Sequence, residues 1–512
     1  MGEGGDPRVL VPINRLVEAL VDPARRGRTV LIVLASYAVV WTLYAALAKS
    51  SQDIHFDMGE VVAWSRDPAL GTPKHPPFSA WVVGAWFSVL PLTDWAYYLL
   101  AVIVATIGLW IAWVVSGDWL DGDKRVAGLA LLTLVPFFNF QALKFNANAI
   151  LIPLWGATTL WFVRSFATRS LGYAALAGVA AAAAMLGKYW SIMLLAGLGV
   201  AALVDKRRAA YWSSAAPWMT AGVGLLALSP HLAWLAAHHF TPFGYALNSH
   251  ASGSFADALL SAMAFLAGVA GYVSVPVLLL WVAARPSAAA LKDTLWPSDS
   301  SRRFALVAFA APLLIATLAA LLARAQIVSL WAMSAMTLLP VVLLSSPILM
   351  LSRRAVVRLT AIAVAVPLVV TLAAPAIAIV IHRRGVAHHA THYRLLAGEV
   401  ERIWHDTTGR PLRLIGSYTN LVNGLAFYLS DHPSTYDVLG PDQTPWVDQA
   451  RIAREGIAMV CPLDEAACLK AATGLADRNP GSRRTEVSIA RRYFGVTDTP
   501  QRYLIIMLPP RA

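Results

Sequence analysis

Apolar runs of about twenty residues, closed by basic or polar positions, recur between residues 29 and 382. That length lets an α-helix cross the hydrocarbon core of a bilayer. The pattern predicts eleven spans, near 29–48, 96–116, 125–142, 147–165, 171–187, 189–204, 213–235, 256–284, 303–323, 327–350 and 356–382. Segment 78–93 is also apolar, but it is short, flanked by prolines, and would break the alternation of loop sides. It is expected to lie along the outer interface without crossing. Residues 8–21 carry apolar positions at helical spacing and predict a short helix on the cytoplasmic face, or an ordinary tethered arm.

After residue 382 the pattern changes. A polar helix near 391–407, a strand at 412–416, a helix near 446–455 and strands at 457–461, 484–490 and 502–508 predict a small soluble α/β domain. The expected fold class is therefore a polytopic α-helical membrane protein with a C-terminal soluble α/β domain. Three parts are expected: an N-terminal arm (1–28), a membrane domain (29–382) with a first outer loop at 49–95, and an extracytoplasmic domain (383–512).

Composition agrees with this reading. The chain has 512 residues, of which 58% are apolar and only 14% charged, against about 25% charged in soluble domains. The net charge of +12 is read first as basic residues retained on the cytoplasmic side, which argues against a nucleic-acid partner and suits anionic lipid. Arg25, Arg26 and Arg28, Lys124 and Arg125, Lys206 to Arg208, and Arg353 and Arg354 mark that side. Loops 49–95, 143–146 and 236–255, Lys188 and everything after 382 then fall on the other. No convincing cleavage site follows the first run, so an uncleaved span is expected. The two cysteines, Cys461 and Cys468, have no zinc-type spacing. They are candidates for a disulfide, the alternative being two buried thiols.

The first outer loop holds the candidate chemistry. As a helix, residues 54–66 put Asp57 and Glu60 on one face. A carboxylate held at an apolar interface can accept a proton from a hydroxyl; Asp57 could equally cap or solubilise a surface helix. The Lys74-His75-Pro76-Pro77 turn fixes two cationic side chains by its prolines, as a departing phosphate requires. Lys144 and Lys188 fall on the same expected side, although a single interfacial lysine usually snorkels toward headgroups. Asn146 and Asn148 either cap the following span or orient a polar substrate. His250 is a candidate for binding phosphate or sugar, or an ordinary interfacial histidine. His388, His389 and His392 have a spacing that could hold a metal, but nothing else completes a site. No nucleotide-binding loop is present, and no metal or cofactor is called for.

These residues resemble the C-type membrane glycosyltransferases, in particular the branch containing protein O-mannosyltransferases and the lipid A aminoarabinose transferase. The likeness lies in Asp57 and Glu60 in an acidic first loop, His75-Pro76-Pro77 followed by Phe78 and Trp81, Pro153-Leu154-Trp155, Gly187-Lys188 and Pro230-His231. The stretch from Lys144 to Trp155 is also similar to rhizobial galacturonosyltransferase-like proteins. The resemblance implies a polyprenyl-phosphate-linked sugar donor and inverting transfer of a hexosyl, pentosyl or uronosyl unit. It implies an envelope acceptor (lipid A or core, a polysaccharide or another glycolipid) at the periplasmic face of a bacterial inner membrane. Asp57 would match the family's proposed base. His75 and Lys188, with Lys74 and Lys144, would lie at the donor phosphate. Relatives often carry a second acid where this chain has Asn148 or Asn146, and an amide cannot take a proton.

A transporter of lipid-linked sugar or polysaccharide is the competing expectation. It would place charged residues mid-span, and these spans are nearly free of them. A structural assembly protein, the third, would lose no chemistry on Asp57→Asn.

Overall fold

Apolar length decides the membrane helices. Residues 7–385, 390 and 392–511 are described by a computed structural model. Among them, six helices are long and apolar enough to cross a membrane: Arg26–Ala48, Asp94–Ser116, Ala216–Ala237, Phe255–Ala284, Ser300–Ala323 and Arg353–Arg384. A seventh candidate, Gly122–Thr133 with Pro136–Leu143, bends by 76°. The bend follows from Pro136, whose ring removes a donor and collides with the preceding turn. Other expected spans are shorter apolar helices, Leu171–Gly187 and Tyr189–Val204, or an 18-residue helix, Leu151–Thr168. The expected span 327–350 is not one α-helix. It is a 3₁₀ segment, Ser329–Leu338, running into a single α-turn pair, Leu339–Leu344, that opens with Pro340. Of the eleven expected spans, the one at 125–142 is bent and the one at 327–350 is broken between two helix types. Segment 78–93 yields only the ten-residue helix Phe78–Phe87, about 15 Å long and too short to cross.

The chain divides into two compact units, residues 1–42 with 99–370, and residues 43–98 with 371–512. In the first unit, small residues let helices approach closely. A Cβ on Gly178 would lie 2.6 Å from the Thr220 carbonyl oxygen, so Leu171–Gly187 and Ala216–Ala237 meet backbone to backbone, as small residues permit in membrane bundles. Trp155, Phe166, Tyr211 and Phe304 fill the neighbouring core. Trp155 Nε1 donates to Ser191 Oγ at 2.9 Å, and Ser191 Oγ donates to the Ala184 carbonyl at 2.7 Å, so these two buried side chains are paired.

The second unit joins the loop at 49–95 to the C-terminal segment. Its sheet has the order β2-β1-β3-β7-β4, with β1 Leu414–Ser417, β2 Ser434–Asp437, β3 Ile457–Pro462, β4 Arg483–Ile489 and β7 Gln501–Leu508. β1 runs parallel to β2 and β3, and β7 pairs antiparallel with β3 and β4. β5 (Arg492–Tyr493) and β6 (Val496–Thr497) form a separate small hairpin. The expected α/β domain is present, with helices at Tyr393–Thr408 and Gln449–Glu455 close to their predicted positions. Helices Thr419–Tyr428 and Ala466–Asp477 and strand β2 are additional to the pattern reading.

Three devices fasten the loop at 49–95 to this domain. A Cβ on Gly59 would lie 2.2 Å from the Asn423 carbonyl oxygen, so helix Phe56–Arg66 rests directly on Thr419–Tyr428. Arg66 donates to the carbonyls of Pro433 (2.9 Å) and Ala426 (2.7 Å), and burial pulls its guanidinium down to about 10. The wholly buried side chain of Asp53 pairs with Arg491 at 2.6 Å and accepts from the Arg394 backbone N–H at 3.0 Å. Cys461 and Cys468 are joined by a disulfide, with Cα atoms 5.7 Å apart. His388 and His389 lie outside the described residues. His392 Nδ1 meets Tyr503 Oη at 2.9 Å and its Nε2 meets Asp498 at 3.1 Å. No group of three or more metal-ligating side chains occurs among the described residues.

Candidate functional site

In the second unit the helix Phe56–Arg66 begins at His55, whose Nδ1 accepts the Asp57 backbone N–H at 3.1 Å. The His55 ring stacks on Phe56 at 4.4 Å. Asp57 thus stands in the first helical turn, where the helix dipole favours a negative charge. Its side chain keeps 23% of its surface open. Glu60 lies one turn further and is buried. Lys74 Nζ donates to both Glu60 oxygens at 2.9 Å. Burial pushes the Glu60 carboxyl above its usual range, the Asp57 charge adds to this, and Lys74 opposes it. The Tyr97 hydroxyl donates to the Met58 carbonyl at 2.8 Å and pins the helix between the two acids.

Lys74 owes its position to a turn built around Thr72. Thr72 Oγ1 accepts from the backbone N–H groups of His75 (2.9 Å) and Lys74 (3.3 Å), and the Thr72 N–H donates to the His75 carbonyl at 3.0 Å. Such side-chain turns are a threonine habit. His75 meets the edge of Trp64 at 5.8 Å, and Pro77 caps the next helix. The expected phosphate-binding Lys74 is therefore held by Glu60. The cation and the second acid of the loop form a pair that their spacing in the sequence does not reveal.

The first unit brings Lys188, Asn148 and His250 together around one indole. Lys188, in extended backbone after Leu171–Gly187, donates from Nζ to Asn148 Oδ1 at 2.7 Å and lies 4.5 Å above the Trp331 ring. The His250 ring meets the same indole edge-on at 5.0 Å. Trp190 packs against it at 4.9 Å and donates from Nε1 to the Trp331 carbonyl at 3.1 Å. Asn146 is buried. Its Oδ1 accepts from the backbone N–H groups of Asn148 (2.9 Å) and Ala149 (3.2 Å), so it shapes the turn entering Leu151–Thr168. Lys144 ends the preceding 3₁₀ turn in extended backbone. Asn148 thus orients an ammonium through its amide oxygen, and the indole face adds a cation–π contact.

Trp331 was not singled out in the sequence, because it lies in a stretch that reads as one more span. Its signal was a tryptophan two residues after Ser329, near a span end. Tyr189 and His231 were likewise missed as a pair; Tyr189 Oη and His231 Nε2 lie 3.0 Å apart.

Residues 74–234 match the model of the dolichyl-phosphate-mannose-protein mannosyltransferase family. That segment contains Lys74, His75, Lys144, Asn146, Asn148 and Lys188, but not Asp57, Glu60 or His250. Among solved structures, the chain is similar to ArnT from Cupriavidus metallidurans bound to undecaprenyl phosphate, with a TM-score of 0.62 and 15% identity over 93% of this chain and 97% of that one. It is similar to the apo state of the same ArnT with a TM-score of 0.61 and 16% identity over 94% and 98%. No curated protein sequence matches the chain significantly. The chain has the fold of ArnT, and the resemblance to C-type membrane glycosyltransferases holds at the level of fold and of this matched segment.

Proposed function

We propose that the chain is an integral membrane glycosyltransferase that moves a sugar from a polyprenyl-phosphate carrier to an envelope glycolipid or glycan, at the periplasmic face of a bacterial inner membrane. Asp57 takes the proton from the acceptor hydroxyl. The resulting oxygen attacks the anomeric carbon as the bond from that carbon to the phosphate oxygen breaks. Configuration inverts and polyprenyl phosphate leaves. Lys188 and Lys144 are the phosphate-binding candidates of the first unit, and His75 is that of the second. Glu60 and Lys74 act as a pair that sets the charge around Asp57. Asn148 serves by aiming Lys188, so one carboxylate, not two, carries the proton.

One observation carries this reading: the Lys188 ammonium, fixed by the Asn148 oxygen and the Trp331 face. A cation held in a fixed position is suited to a phosphate whose charge grows as it departs. The fold shared with an enzyme crystallised with undecaprenyl phosphate supports the same donor class.

Envelope glycolipids and glycans from cells with and without the protein, compared by mass spectrometry, test the proposal. Loss of one sugar unit is expected, restored by the native chain. Asp57→Asn is expected to slow transfer by roughly 100-fold or more while leaving binding of polyprenyl phosphate intact. Full restoration by this variant would reject the base and favour transport or assembly.

A further inference from the structure

The second unit holds an open pocket of about 800 Å³ that the reaction above does not use. Its cations fall into two classes. Arg491 and Arg394 are neutralised from within, Arg491 by the buried Asp53 at 2.6 Å and Arg394 by Asp94 at 2.6 Å. Lys49 and Arg492 also line the pocket, and neither forms an ion pair among the described residues. The wall therefore carries two positive charges with no carboxylate to match them. Ser50 Oγ and Tyr493 Oη, 2.7 Å apart on the same wall, add hydroxyl groups.

Position narrows the ligand. Lys49 directly follows the span-length helix Arg26–Ala48, and Asp94 opens the span-length helix Asp94–Ser116. The pocket thus opens where apolar spans end. Trp95, which lines it, is 46% exposed, and Phe494, beside Tyr493 at the tip of the β5–β6 hairpin, is 75% exposed. Exposed aromatic side chains beside unmatched cations are what a lipid headgroup region accommodates. Burial holds the Lys49 ammonium below its ordinary value, and an anion in the pocket would raise it again.

We propose that this pocket binds the phosphate-bearing headgroup of an anionic membrane lipid, with Lys49 and Arg492 pairing the phosphate and the exposed aromatics meeting the glycerol and chain. The assignment does not depend on sugar transfer, because binding is read without turnover.

The test is equilibrium binding of radiolabelled dioctanoyl phosphatidic acid to the full-length protein in neutral detergent. Dioctanoyl phosphatidylcholine and inorganic phosphate serve as competitors. Saturable binding of phosphatidic acid is expected. The double variant Lys49→Gln, Arg492→Gln should weaken it by roughly 10- to 100-fold, as loss of charge-assisted hydrogen bonds does. Lys49→Arg should bind as the native chain does, and so should Arg383→Gln, which removes an exposed charge outside the pocket. Lys188→Met should also retain this binding, which separates the pocket from the proposed donor site. Unchanged binding in the double variant, or equal displacement by phosphatidylcholine, would overturn the site. Competition by inorganic phosphate at the same concentration as the lipid would assign it to a soluble anion and overturn the lipid source.

Discussion

Replacing Lys74 by methionine removes the ammonium that both Glu60 oxygens accept while keeping much of the side chain's bulk. Opposite charges about 4 Å apart are worth about 4 kcal/mol at an effective dielectric of 20. Breaking a buried pair costs about 3–5 kcal/mol when one charge is stranded. Lys74 is 23% exposed and Glu60 only 8%, so screening puts this pair at or below the lower end. Glu60 also has an escape, which is to take up a proton. From its ordinary value of 4.5, protonation at pH 7 costs about 3.4 kcal/mol, at 1.36 kcal/mol per unit, and this caps the penalty. The expected destabilisation is about 2–3 kcal/mol near neutral pH.

The sign of the pH dependence follows. Burial raises the folded-state value of Glu60, and losing Lys74 raises it further. Folding then favours the protonated form, whose stability is fully present below the unfolded value and lost as pH rises through the folded one. The Lys74→Met penalty should therefore be small near pH 5 and grow toward pH 8. Adding Glu60→Gln to Lys74→Met should recover most of it, because two neutral groups replace a stranded charge. Thermal unfolding of the four chains in detergent, at several pH values, reads this as a double-mutant cycle. A penalty that is flat with pH, or larger at pH 5 than at pH 8, would refute the reasoning.

Other outcomes follow from the same geometry. Lys188→Met should weaken binding of polyprenyl phosphate by roughly 10- to 100-fold, and Asn148→Asp should weaken it too, by placing a carboxylate on the ammonium; lipid titration of the purified protein measures both. Replacing Cys461 and Cys468 by serine opens a loop with a sequence separation of 7 and should cost about 2.5 kcal/mol, seen as a lower unfolding midpoint that a reductant no longer changes.

The membrane helices were legible wherever apolar length and helical continuity coincide, as in 256–284 against the observed Phe255–Ala284. They were not legible where proline at 136 or 340 interrupts an apolar run, because hydropathy does not distinguish a straight helix from a bent one. Strands β3 and β7 were readable as apolar runs bounded by polar turns. β2, Ser-Thr-Tyr-Asp, is buried along its whole length yet polar in sequence, so it carried no strand signal. In the site, Asp57, Glu60 and Lys74 could be named from spacing within one loop. The Glu60–Lys74 pairing could not, since it depends on how Thr72 closes its turn. Trp331 reaches Lys188 only through the fold, and no local pattern joins them.

The discontinuity of the second unit has a bearing on how the protein is made. Residues 43–98 leave the ribosome roughly 270 residues before their partners in 371–512, a wait of about 14–54 s at 5–20 residues per second. During that interval Asp53, destined for complete burial, has neither Arg394 nor Arg491. The early loop must be inserted and then kept from wrong partners until the tail of the same polypeptide arrives. Truncating that tail should thus damage a segment near the opposite end of the chain, and nascent protein lacking it should be a target for quality-control proteolysis.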